Sequence, residues 1–147
     1  MPLSNFLHLL SATLWIGGMA FALFALRPAA IATLAPPQRL SLMSAALGRF
    51  FKLVMAAIVV LLATGLHMIM ATGGFAAARL GVHAMFGGGL LMIVIFGYIA
   101  HGCHPKLRSS VLAEQWPAAA AQLERLRLLV LINLVLGIVI VAAVKSL

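Results

Sequence analysis

Residues 50–74 read FFKLVMAAIVVLLATGLHMIMATGG. Lys52 is the only charge in this stretch, and Thr72-Gly73-Gly74 ends it. An apolar run of about 20 residues is the length a helix needs to cross a hydrocarbon core of roughly 30 Å. The stretch has no sustained apolar–polar alternation, which argues for a helix and against a barrel strand. It predicts a membrane span over residues 50–71.

Three more runs of the same kind lie around it, at residues 6–26, 81–100 and 128–144. The first is not read as a signal peptide, because no positive residue precedes it and its charge follows at Arg27. The expected fold is all-α: an integral membrane four-helix bundle forming one four-span domain over residues 1–147. Residues 36–49 and 109–125 are expected to form short interfacial helices in the cytoplasmic connections. The second of these is interrupted at Pro117. No internal repeat is evident.

Composition agrees with this reading. Of 147 residues, 65% are hydrophobic and 8% charged, and the net charge is +8. Soluble domains carry about 25% charged residues. Nucleic-acid binding would need a solvated basic face, which so apolar a chain lacks. There is no aspartate, and Glu114 and Glu124 are the only acids. Carboxylate-pair hydrolysis and multi-carboxylate magnesium sites are thereby excluded. The single Cys103 excludes an internal disulfide.

The basic residues assign direction. Arg27, Arg39, Arg49, Lys52, Lys106, Arg108, Arg125 and Arg127 fall on one side of the bundle, and only Arg79 and Lys145 on the other. The positive-inside rule places the first group in the cytoplasm and both termini outside. The expected location is a bacterial inner membrane, with the lipid bilayer as partner. Homo-oligomerisation stays open.

Five histidines stand out against the apolar background. Ionisable groups inside spans are costly and commonly functional. His8, His67 and His83 lie at one depth near the outer ends of three spans, so they are candidate ligands for copper or haem iron. Met68, Met70 and Met85 lie close by in sequence, and thioethers with imidazole favour Cu(I). The face below His8 holds Ser11, Ala12, Trp15, Gly18 and Ala22, and the face below His83 passes Gly87 to reach His101. Small residues there allow close helix contact or room for a flat cofactor. On the inner side, His101, Cys103 and His104 form a second, weaker candidate cluster. No residue is assigned a catalytic role.

The stretch Leu7-His8-Leu9-Leu10-Ser11-Ala12-Thr13-Leu14-Trp15-Ile16-Gly17-Gly18, with Arg27-Pro28 after it, resembles the opening span of CopD-like copper-resistance membrane proteins. Gly65 and His67 extend the likeness. It implies copper uptake or tolerance at the inner membrane, with a periplasmic copper carrier as partner. The same His-x6-Trp opening resembles, more distantly, HemJ-type four-helix proteins that carry b-type haem. That family has a lysine where this chain has Met85. This second likeness implies bis-histidine haem and a quinone or other redox partner, so copper and haem b both stay open as cofactors.

Overall fold

The computed structural model describes residues 1–147 and contains no strand. Four helical rods carry the chain: α1 (Pro2–Thr33), α2 (Pro36–Ala71), α3 (Leu80–Leu112) and α4 (Trp116–Ser146). Each is long and apolar enough to cross a bilayer. The protein is an all-α, multi-pass membrane bundle.

The rods overrun the apolar stretches at the basic end. The two expected interfacial helices are not separate elements there. Residues 36–49 are the first turns of α2, which continues unbroken from Pro36 to Ala71. The reason is the apolar register. Leu40, Met43, Leu47, Phe51, Val54 and Ile58 are buried at helical spacing, so one stripe runs from the basic end into the membrane. Residues 109–125 divide between the end of α3 and the start of α4. The turn between them is made at Ala113–Gln115, with Glu114 at φ 55°.

Two prolines lie inside rods without ending them. α1 passes through Pro28 and α3 through Pro105. Each proline follows a π turn, Ala22–Leu26 in α1 and Ile99–Cys103 in α3. An interior proline removes one backbone donor and crowds the carbonyl a turn earlier. The wider π turn relieves that crowding locally. The two halves of the chain therefore share a plan that the sequence does not announce. In each, a rod with a π turn and proline is followed by a tight turn and a rod that opens on proline.

α1 packs along α2, and α3 along α4. The pairs join mainly at the basic half, where residues 104–112 of α3 meet α2. Trp15, Phe51, Phe96 and His104 form an edge-to-face series there. Ring centroids are 6.0 Å apart for Trp15–Phe96, 5.6 Å for Phe51–Phe96 and 5.5 Å for Phe51–His104. Such pairs contribute about 0.5–1.5 kcal/mol each beyond area burial. At the opposite end, Gly73 and Gly74 turn the chain between α2 and α3 at φ 103° and 79°, angles that side-chain-bearing residues rarely adopt.

Candidate functional site

His8 lies on the inward stripe of α1, one turn before the buried Ser11 and two before the buried Trp15. Its imidazole is half-buried against α2. Nδ1 lies 3.0 Å from the Thr64 hydroxyl oxygen. That hydroxyl donates its one proton to the Val60 carbonyl, at 2.7 Å. It can therefore only accept from the ring, and Nδ1–H is the donor. Nε2 is left with its lone pair. An imidazole held through one ring nitrogen in this way keeps the other chemically able to act as a ligand.

Gly65 makes the approach close. A Cβ there would lie 3.3 Å from His8 Cε1. Met68 follows Thr64 by four residues, so it occupies the same face of α2 one turn nearer the outer end. Its side chain is half-buried.

His67 and His83 lie elsewhere. Thr64, Gly65 and Ile69 hold the buried side of α2. His67 stands two residues, or about 200°, from Gly65 and is exposed. His83 is exposed, with its ring 6.2 Å from that of Phe75. The face running from His83 through Gly87, Leu90, Val94 and Tyr98 to His101 looks outward. α3 turns a different stripe to its neighbours: Gly81, Met92, Phe96, Ile99 and Cys103. Its close contact with α4 uses Gly81 and Gly88. A Cβ on Gly81 would lie 3.2 Å from the Val144 backbone, and one on Gly88 would lie 2.6 Å from Ile140. Around Gly87 there is open space. Met85 is half-buried on α3, and Met70 is exposed.

The space beside Gly18 is filled by the Phe50 ring, whose Cζ lies 2.6 Å from where a Cβ would stand. Below His8, the small residues thus serve packing against α2. The inner residues diverge too. His101 is exposed, Cys103 is buried, and His104 donates from Nε2 to the Ser44 carbonyl at 2.9 Å. Nowhere do three or more His, Cys, Asp or Glu side chains come together as a metal-holding group.

One polar residue escaped the sequence reading. Asn133 is 1% exposed in the middle of α4. Its Nδ2 donates to the Met92 carbonyl at 3.2 Å, while Oδ1 has no partner. A lone amide inside an otherwise apolar span was the available signal.

Comparison with curated proteins and with solved structures returns no match. The family described as CopD, copper resistance protein D, matches residues 44–147. The matched residues span Thr64, Met68, all of α3 and all of α4. His8 and the rest of α1 precede them. With more than two thirds of the chain matched, this protein belongs to the copper resistance protein D family.

Proposed function

We propose that this protein handles copper at the outer face of a bacterial inner membrane, with His8 as the principal ligand. The supporting observation is the His8–Thr64 pair. The hydroxyl holds the ring in the Nδ1–H tautomer and leaves Nε2 able to bind a metal. Met68, one turn outward on the facing rod, adds a thioether. Imidazole with thioether suits Cu(I). Copper is the cargo of this site and not a resident cofactor. A small donor set suits transient holding, as uptake or tolerance requires, better than permanent storage. His67, His83 and Met85 lie at the same end of the bundle and would serve as collecting ligands, receiving the ion from a periplasmic carrier.

The b-type haem alternative needs a second histidine opposite His8, and His67 and His83 are both exposed on other faces.

The test is Cu(I) titration of the detergent-purified chain against a chromophoric chelator. His8→Ala is expected to abolish the tightest binding, and Met68→Leu to weaken it. Unchanged binding in His8→Ala refutes the site. A Soret band in the purified protein that shifts on dithionite reduction refutes copper as its ligand and selects haem.

A further inference from the structure

At the basic end, a cleft of about 330 Å³ opens between the end of α1, the start of α2 and the start of α4. Arg27, Arg39 and Glu124 stand around it, and Ile31, Leu40 and Leu123 form apolar wall. Ligand sites commonly occupy about 300–1,000 Å³.

Charge is unbalanced there. Glu124 accepts from Arg27 at 3.4 Å and from Arg127 at 3.0 Å, so one carboxylate serves two guanidiniums. Arg39 is half-buried and has no carboxylate partner. Two guanidiniums and one carboxylate line the cleft, and Arg127 outside it shares that carboxylate, so the cleft repels a copper ion and attracts an anion. A guanidinium also matches phosphate in shape, offering two parallel N–H donors.

Height selects the anion. Arg27 follows His8 by nineteen residues, a rise of roughly 28 Å along a helix. This equals the hydrocarbon thickness of about 30 Å within a few ångströms. The cleft therefore lies at the level of lipid headgroups. Ile31, 45% exposed on its wall, suits an acyl chain or glycerol backbone better than water.

We infer that this cleft seats the phosphate of an anionic phospholipid headgroup, with Arg39 and Arg27 as donors and Glu124 limiting the affinity. Basic pockets between spans on the cytoplasmic side bind such headgroups in general. The inference stands apart from the copper site, which lies at the other end of the bundle.

Native mass spectrometry of the delipidated full chain, titrated with phosphatidylglycerol or phosphatidylcholine, tests it. Phosphatidylglycerol should be retained preferentially. An arginine near an anionic surface contributes about 1 kcal/mol, which is roughly five-fold in affinity. Arg39→Ala should lose that much, and the Arg27→Ala/Arg39→Ala pair roughly 25-fold. Glu124→Gln should bind more tightly than the unaltered chain. Arg108→Ala, a basic-end arginine outside the cleft, should bind as the unaltered chain does. Because Arg39 has no partner to lose, its variant keeps the test valid even where the double variant fails to fold. Equal losses in Arg108→Ala and Arg39→Ala would overturn the inference in favour of diffuse surface charge. Equal retention of the two lipids would also overturn it. Displacement of the lipid by inorganic phosphate would overturn the lipid assignment and point to a soluble phosphate compound.

Discussion

Replacing Thr64 by valine removes one hydroxyl at nearly constant shape and leaves His8 in place. In the native chain that hydroxyl receives the Nδ1–H at 3.0 Å and spends its own proton on Val60. The Val60 carbonyl keeps its helical partner in the variant, so α2 loses nothing essential. The imidazole loses its acceptor. An unpaired buried donor costs about 1–3 kcal/mol in soluble proteins. Interhelical hydrogen bonds in membranes average about 0.6 and reach about 1.7 kcal/mol. His8 is half-buried in a membrane bundle, so a stability loss of about 0.6–1.7 kcal/mol is expected. The ring escapes part of this by moving its proton to Nε2 or by turning. Either response removes the free lone pair from its native position. Loss of an outer-shell partner commonly weakens a metal site about 10–100-fold. Cu(I) competition should show a loss in that range for Thr64→Val. Thr64→Ser, which restores the acceptor, should recover to within about three-fold, since the hydroxyl and not the methyl supplies the effect. A Thr64→Val protein that binds Cu(I) as tightly as the native chain would refute the role given to the hydroxyl. So would a serine variant as weak as the valine one.

Gly18→Ala should destabilise by about 1–3 kcal/mol, the usual cost of overpacking, because the new methyl meets the Phe50 ring; thermal denaturation in detergent followed by circular dichroism checks this, and an unchanged midpoint counts against the α1–α2 contact. Asn133→Leu should be neutral or stabilising, within about 2 kcal/mol, because the hydrogen bond to Met92 is worth about 0.6 kcal/mol while the unpaired Oδ1 is removed from the core; the same denaturation assay would show a clear loss if the amide were needed for folding. A reporter active only in the cytoplasm, fused after Leu147, should be silent, since the basic residues gather at the other end of the bundle; activity there would reverse the orientation.

Run length and charge placement are one-dimensional properties, and they determined a great deal. Four apolar stretches of membrane-crossing length dictate four helices, because no other open structure satisfies its backbone in lipid. The gathering of arginine and lysine on alternate connections sets the expected direction. His8 was legible as a polar group inside the first stretch, and its inward stripe through Ser11 and Trp15 followed from helical spacing. Rotation of each rod about its axis was not legible. In water, the apolar stripe of a helix marks its buried face. Here lipid and core are both apolar, so the stripe carries no such information. α3 illustrates the consequence. The face from His83 through Gly87 looked like a contact surface, yet Gly81 and Gly88 make the contact with α4. The π turns at Ala22–Leu26 and Ile99–Cys103 add a further shift. Each extra residue in a turn rotates the remainder of the rod by roughly 100°, so a face extrapolated past these turns, toward Arg27 in α1 or Pro105 in α3, loses its register. Only the packed tertiary structure could decide that Thr64 meets His8 while His67 faces outward, because that choice depends on how Gly65 and Phe50 seat α1 against α2.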